Sequence, residues 1–526
     1  MNKRFYVTTA IDYVNGEPHL GHAYEKILTD VIARVHCSLG EEVFFLTGLD
    51  EHGQKVKQAA QDQGMEPRAW CDQLAGIWQA FVGRLNLINH DFVRTSSERH
   101  QAFVRGMLNK LHQQDHFYRA THTGFYSTKE ETFLTDRDRR ADGLFDPSWG
   151  EVVELSEDNW YFRMGRHQQW LIDHITGHPE FVAPESRRNE VLGFLRAEPL
   201  GDLCISRPVH RLNWGIPLPF DPGFVTYVWF DALSNYASIP AALGDPVVLQ
   251  ALPPENQKSE IRNPKSEIRL WPADIHVVGK DIVKFHAVYW PIMLKAMELP
   301  LPRQILAHGW WQKDGQKISK STGNIVDPVS VIAEWGADAF RYYVIRELDI
   351  GSDGNWTDAG FRARYSAELA NGLGNLVNRS LSMLQRYRQG RVPARADELA
   401  AETTERIGTV LEFLRAHQLQ AALQSIWAIV TRANQYVDQT APFKLAKDPA
   451  QSGQLDAVLY NLTETCRLLA VLLWPFIPDT AEKIFAQLGL AGLPDRMNGA
   501  QWGLLPPGHV IATPAALFPR KDRPGA

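Results

Sequence analysis

The sequence predicts an α/β fold on a parallel sheet, interrupted by an inserted module and followed by an all-α helical bundle. Three observations carry this. Up to Gly309, short β-branched and aromatic runs alternate with helical periods, and strand–helix–strand order builds parallel sheets with right-handed crossovers. From about Thr121 to Asp221 the alternation gives way to aromatics, glycines, charges and turns, as expected of a separate module. After Asn324 the apolar residues fall into one helical stripe after another. A chain of 526 residues exceeds what one core serves, so two or three domains are expected.

Taken in order, Phe5-Tyr6-Val7-Thr8-Thr9 has the side chains of a buried strand. Asn15-Gly16-Glu17-Pro18 is a turn signal, and His19-Leu20-Gly21-His22 follows it. Ile27, Val31, Ile32 and Val35 repeat at helical spacing, so both histidines stand at the start of a helix after the first strand. Such a turn offers backbone N–H groups and the positive end of the helix dipole to an anion, and Gly21 permits close approach. Val43-Phe44-Phe45-Leu46-Thr47 is the next strand, and Gly48-Leu49-Asp50-Glu51-His52-Gly53 ends it with acids and a histidine. Asp50 has two readings there. It meets a substrate amine at the carboxyl end of a strand, or Asp50 and His52 serve as caps for a helix starting near Gln54.

The α/β pattern resumes with Thr226-Tyr227-Val228-Trp229-Phe230, read as a strand, and with residues 231–236, which open a short helix. Trp229, Ala232 and Tyr236 either line one apolar pocket or fill core. Residues 258–269 repeat Lys-Ser-Glu-Ile-Arg at a seven-residue step, which is too short for a solenoid and reads as an exposed insertion. Ile275-His276-Val277-Val278-Gly279 is another strand. After Lys280-Asp281 a helix carries Phe285, His286, Tyr289, Trp290 and Met293, with His286 and Trp290 four apart and hence on one face. Residues 304–309 form the strand that delivers Lys317-Ile318-Ser319-Lys320-Ser321 and Thr322-Gly323-Asn324. That loop is cationic and rich in hydroxyls, with Ile318 alone to bury. It suits polyphosphate, although most such clusters are solvated loops.

The bundle stripes are Leu369, Leu373, Leu376, Val377, Leu381 and Leu384; then Ile407, Val410, Leu411 and Leu414; then Leu419, Leu423, Ile426, Trp427 and Val430; then Leu459, Leu462, Cys466, Leu469 and Leu473. The tail from Leu505, rich in proline and alanine, is expected to be partly ordered. A net charge of −6 means that any RNA binding comes from a local patch rather than from overall attraction. Four scattered cysteines without a CxxC pair argue against a disulfide framework and a thiolate zinc site, and fit a reducing compartment. No apolar run approaches the roughly 20 residues that span a bilayer, and the N-terminus enters a strand without a signal-peptide core. No membrane association and a cytoplasmic location are expected.

His19-Leu20-Gly21-His22 at the first strand–helix turn, with Lys317-Ile318-Ser319-Lys320-Ser321 late in the sheet, resembles the motif pair of class I aminoacyl-tRNA synthetases. Residues 8–16, Phe45-Leu46-Thr47-Gly48-Leu49-Asp50-Glu51-His52-Gly53, Tyr227-Val228-Trp229-Phe230-Asp231-Ala232, Gly279-Lys280-Asp281-Ile282 and Ala307-His308-Gly309-Trp310-Trp311 are similar to the methionyl branch of that class, over roughly residues 1–480. The resemblance implies a Rossmann-type catalytic domain in two halves, residues 1–118 and 225–308, around a connective module at 119–224. It also implies a loop and stem-contact region at 309–365, an anticodon-binding bundle at 366–504 and a tail at 505–526. The implied reaction is ATP-dependent activation of L-methionine to methionyl-adenylate and transfer to methionine tRNA, with Mg²⁺ arriving on ATP.

In that reading His19, His22, Lys317 and Lys320 are catalytic, and Gly21, Gly279, Asp281, Ser319 and Ser321 help them hold ATP. Methionine falls to Ile11, Tyr13, Asp50, Trp229, Ala232, Leu233, Tyr236, Ile282, His286 and Trp290. Asp50 pairs with the α-ammonium, aromatic rings wrap the thioether, and His286 and Tyr13 lie near the sulfur. Asn375 and Arg379 match the family's anticodon readers. Phe443 falls where relatives have a stacking tryptophan, with less area and no indole N–H.

Three departures stand out. Ser127 and Glu130 occupy positions where a zinc knuckle would have cysteines, so no structural zinc is expected. Ala10 and Asp12 replace a more usual proline and aromatic, and nothing in the sequence accounts for Asp12. The C-terminal oligonucleotide-binding domain that dimerises many relatives is missing from the sequence, which makes a monomer the expectation. Rival readings are weaker. Synthetases for valine, leucine or isoleucine carry a large editing insertion, a small-molecule nucleotidyltransferase needs no helical bundle, and an inactive tRNA-binding paralogue need not keep His19, His22, Lys317 and Lys320.

Overall fold

The computed structural model describes residues 3–127, 132–134, 136–140, 142–254, 269–317 and 325–521. A seven-stranded sheet lies at its centre. Its strands are β1 (Arg4–Thr9), β2 (Asp12–Tyr13), β3 (Glu42–Asp50), β4 (Asp91–Arg94), β5 (Val182–Ala183), β6 (Ile275–Gly279) and β7 (Gln304–His308). They run in the order β2-β3-β1-β6-β7-β5, with β4 also on β3, and every one of these pairings is parallel. In register, Val7 of β1 faces Phe45 of β3 on one side and Ile275 of β6 on the other. The strand order therefore reverses direction at β1, and an open sheet offers its crevice at such a point, beyond the carboxyl ends of the strands. Strands β3 and β4 approach so closely that a Cβ on Gly48 would lie 2.2 Å from the Val93 carbonyl oxygen.

Alternation along β1 sorts side chains between two cores. Phe5 and Val7 join a cluster with α1 (Leu20–Ser38), and Tyr6 joins the cluster on the other face with Leu46, Val278 and Ile305. The first cluster does not stop at the sheet. It runs through Ile27, Val31 and Val35 of α1 into Tyr342, Trp427 and Leu472, so the bundle and the sheet share one apolar interior. All the residues of the four stripes named above are buried except Leu411, which is partly so.

A buried polar joint crosses the same boundary. Arg341, 0 % exposed, donates to Asp30 of α1 (2.7 Å), to the Leu85 carbonyl (3.0 Å) and to the Phe476 carbonyl (3.0 Å). Asp30 also takes Arg34 (2.8 Å) and the Ile88 N–H (2.7 Å), so the charges are met on every side.

The stretch read as a module begins with a long antiparallel hairpin, Phe117–Ser127 against Val152–Phe162, in unbroken register from Phe117↔Phe162 to Ser127↔Val152. It is less separate than its composition implies, because β5 returns to the edge of the central sheet.

Two expectations need correction, and two open readings are narrowed. Residues 228–230 are not a strand. The strand is Asp221–Thr226, antiparallel to Ser206–Pro208 and outside the central sheet, and Val228–Ala232 is a short helix. Tertiary context overrides β propensity there, because the helical turn sinks Phe230 in the core while Trp229 faces a cavity. Strand β7 does not deliver the Lys/Ser loop directly. A hairpin intervenes, Trp311–Lys313 with Gln316–Lys317, turning on Asp314 (φ 50°) and Gly315 (φ 76°). Asp50 and His52 do not cap the next helix. Gln54–Asp62 starts from Gly53, whose φ of 105° suits glycine, with no side-chain cap. The tail, finally, is docked from 505 to 521. Gly508 N–H donates to the Val392 carbonyl (2.8 Å), Ala515 N–H to Gln487 Oε1 (2.9 Å), and Tyr365 Oη to the Pro519 carbonyl (2.9 Å).

Candidate active site

At the reversal point of the sheet lies a cavity of about 610 Å³. The carboxyl ends of β1, β3, β6 and β7 and the start of α1 bring its wall together. His19 is the N-cap of α1. Its Nδ1 accepts the Gly21 N–H (3.1 Å), and the His19 N–H in turn donates to His22 Nδ1 (3.2 Å). The rings stack at 3.7 Å with 22° between planes. Two histidines thus form a capping box in place of the usual Ser and Glu. Because each Nδ1 accepts, each neutral ring carries its proton on Nε2. The motif consequently presents N–H donors at the positive end of a helix 19 residues long.

Gly279, Asp281 and Trp310 line the same cavity. Trp310 Nε1 donates to Asp281 Oδ1 (3.1 Å), its backbone N–H donates to Asp353 Oδ1 (2.8 Å), and Lys280 Nζ lies 4.4 Å above its ring. Lys280 is itself tied to Asp353 at 2.6 and 2.7 Å, which fixes the base of the hairpin that leads to the Lys/Ser loop. His308 donates from Nδ1 to the Gly309 carbonyl (2.8 Å) and from Nε2 to Glu25 (3.1 Å). Burial opposes its charge, but Glu25, the Gly309 carbonyl and Asp281 together outweigh burial and raise the His308 pKa.

The other end of the cavity is aromatic. Ile11, Tyr13, Asp50, Trp229, Ala232, Leu233, Tyr236, Ile282 and His286 all line it. Trp229 stacks on Phe285 at 3.7 Å. His286 donates from Nδ1 to the Ile282 carbonyl (2.9 Å), so its Nε2 accepts the Tyr236 hydroxyl (2.7 Å). Burial lowers the His286 pKa to about 4 and keeps the ring neutral. Its polar atoms therefore orient Tyr236. Trp290 stands apart. It is buried behind Tyr236, off the cavity wall, and donates from Nε1 to His276 Nε2 (3.2 Å). The π-helical turn at Phe285–Tyr289 explains this, since its wider winding breaks the four-residue alignment with His286.

Sequence reasoning missed what holds these walls. Asp231 is fully buried between His52 Nδ1 (2.6 Å) and His100 Nε2 (2.7 Å), and His100 Nδ1 meets Ser238 Oγ (2.9 Å). Burial alone would raise the Asp231 pKa; the two histidines hold it at about 2 instead. The network clamps the end of β3, which carries Asp50, to the helix that carries Trp229. The pairing of an isolated Asp with remote histidines leaves no periodic signal. Asp12 also has a partner: it lines the cavity and is bonded to Lys26 of α1. A lysine inside the apolar stripe of α1 was the available clue.

Residues 318–324, which include Ser319, Lys320 and Ser321, lie outside the described residues, as does the side chain of Lys317. So do residues 258–268 of the repeat, and Glu130. Ser127 Oγ donates to the Trp149 carbonyl (2.6 Å) and offers no thiolate. In the bundle, Asn375 and Arg379 sit one turn apart on Asn375–Arg388, and Arg379 pairs with Asp438 (3.3 Å) on the helix that leads into Phe443. Phe443 is 47 % exposed.

Comparison with known proteins agrees with this geometry. The family model for class I tRNA synthetases (M) matches residues 5–142 and 148–381, and the model for the anticodon binding domain of methionyl tRNA ligase matches 388–522. The methionine–tRNA ligase of Fusobacterium nucleatum is 37 % identical over 99 % of this chain and 80 % of its own length. That of Bacillus subtilis is 40 % identical over 93 % of this chain and 73 % of its own. A structure of Mycobacterium tuberculosis methionyl-tRNA synthetase in complex with methionyl-adenylate superposes with a TM-score of 0.89 at 37 % identity, covering 98 % of this chain and all of that one. On matches of this extent, the chain belongs to the methionyl-tRNA synthetase family of class I aminoacyl-tRNA ligases.

Proposed function

We propose that the cavity joins L-methionine to ATP and passes the product to methionine tRNA. The observation that carries this is the meeting, in one space, of a two-histidine helix start, the Asp50 carboxylate and an aromatic end built on Trp229 and Tyr236. Methionine's carboxylate oxygen attacks the α-phosphorus, an O–P bond forms, and the bond to the departing pyrophosphate breaks. His19 and His22 donate from Nε2 to oxygens that gain charge in the pentavalent state. Gly279 and Asp281 border the adenosine side, and Mg²⁺ enters with ATP as part of the substrate. Asp50 receives the α-ammonium, while Ile11, Tyr13, Ala232, Leu233, Ile282 and the rings of Trp229, Tyr236 and His286 surround the thioether. Trp290 supports that shell from behind.

Lys317, Ser319, Lys320 and Ser321 act on the pyrophosphate side. This assignment is carried by their sequence pattern and by the hairpin that leads into them, whose Trp311 and Gln312 line the cavity. In the second step a terminal ribose hydroxyl of the tRNA attacks the methionyl carbonyl, and AMP leaves. Asn375, Arg379 and Phe443 meet the anticodon. On this reading the enzyme works in the cytoplasm as a monomer.

ATP–pyrophosphate exchange with methionine, valine, leucine and isoleucine, followed by charging of methionine tRNA, tests the reading. Methionine alone is expected to support exchange. Exchange with a branched amino acid instead, or none with methionine, overturns it.

A further inference from the structure

Asp12 stands in the cavity wall with no part in the reaction above. One carboxylate oxygen is bonded to Lys26 Nζ, and the other lies 3.9 Å from His22 Nε2. Lys26 is 0 % exposed, does not line the cavity, and is closed in by Asp12 and by the Trp78 ring at 5.5 Å. The carboxylate is thus the face of the pair that a ligand meets, and the ammonium is its backing. A bare carboxylate there would repel a triphosphate and would compete with it for the His22 N–H.

We propose that Lys26 is a positioning residue that masks the Asp12 carboxylate, so that the phosphates of ATP meet the His19–His22 helix start without an opposing charge. The inference rests on the reading that ATP occupies this cavity. It also accounts for a buried cation that is one turn beyond His22 and touches no proposed substrate. Masking should be steepest where Asp12 is ionised. The charged and titratable groups facing Asp12 are His22, Glu25 and Lys26 on α1, Asp50 on β3, Lys55 on the following helix and Tyr236. Burial raises the Asp12 pKa to about 7 against the pull of Lys26, so its charge changes in an accessible range.

The test is calorimetric binding of ATP, and of inorganic tripolyphosphate, to the full chain and to K26M, D12N and the double variant at pH 6 and pH 9. Losing Lys26 removes the pull that lowers the Asp12 pKa, so K26M is expected to weaken both ligands about threefold or more at pH 9, where Asp12 is ionised, and less at pH 6, where it takes up a proton. Methionine binding should change much less. Adding D12N to K26M should restore the lost affinity, and D12N alone should bind ATP about threefold tighter than the parent, since Lys26 then faces the phosphates unopposed. K26M binding like the parent, or a loss relieved neither by acid nor by D12N, overturns the proposal. If K26M does not fold, D12N decides, and binding no tighter than the parent is the contrary result. Tripolyphosphate keeps the two readings distinct. A parent protein that shows this pattern but supports no methionine-dependent exchange would retain the masking role and lose the proposed function.

Discussion

The histidine pair does two jobs with two different nitrogens. Each Nδ1 is committed to the backbone of α1, and each Nε2 carries the donor. Asparagine can copy the first nitrogen and not the second. His22→Asn is therefore expected to keep the capping box and the melting temperature, while the exchange rate falls about 10²–10³-fold, as for other lost transition-state donors. Tyr236 gives a second separation. Tyr236→Phe leaves the buried His286 Nε2 without its donor, and methionine affinity should fall about tenfold, the scale of one unsatisfied buried group, with ATP affinity unchanged. Single residues were legible in the sequence where a motif framed them. The capping reading of Asp50 falls because Gly53 supplies the backbone start that an Asp or His cap would have supplied. Trp229, Ala232 and Tyr236 line the cavity rather than only filling core. Asp12, Lys26, His52 and Asp231 were illegible for a common reason: each is explained by a partner remote in sequence or outside its own motif.

At the scale of elements, the parallel strands read well, since β1, β3, β6 and β7 are short runs bounded by turns. Residues 228–230 failed because a β-branched aromatic run packs as well on one helical turn as on a strand when both faces are occupied. The Asp314-Gly315 hairpin was a readable turn that stood too close to the louder Lys/Ser pattern. In the bundle the exposed ring of Phe443 follows Ala441, held at φ 44°, which turns the chain outward after a 22-residue helix. Stacking on an unpaired base contributes about 1–3 kcal/mol, so Phe443→Ala should raise the KM for tRNA about tenfold and leave pyrophosphate exchange untouched. Phe443→Trp should lower that KM. Charging assays with methionine tRNA read both.

Over the whole molecule, buried neutral histidines set the response to acid. Burial lowers His286 and His417 to about 4 and holds His276 well below its ordinary value, whereas an unfolded histidine titrates near 6.5. Between those values the unfolded chain binds more protons, so their contribution is full above pH 6.5 and is lost as pH falls toward 4. Asp12 has the opposite sign, since its raised pKa favours the folded state as pH drops below 7. Asp338, raised to about 6, and His308 share that sign, but the lowered histidines, His36, His90 and His116 among them, outnumber these three groups, and the melting temperature is expected to be lower at pH 5 than at pH 7. His417→Asn should flatten that slope. Arg341→Met strands Asp30 beside one remaining arginine and empties four carbonyl contacts, and a loss of about 3–5 kcal/mol is expected in denaturant unfolding. The sequence did not reveal this joint, because an amphipathic stripe tells that a face is covered and not by what.

Helix α1 starts at the histidines and ends among bundle residues, with Arg34 4.9 Å from the Trp474 ring and His36 Nε2 3.1 Å from His417 Nε2. It belongs to two interiors at once. There is consequently no seam along which the half that reads the anticodon could peel away while the half that activates the amino acid stays intact. In native-state hydrogen exchange the amides of α1 should be among the last to exchange, and should report on both halves through a single opening event.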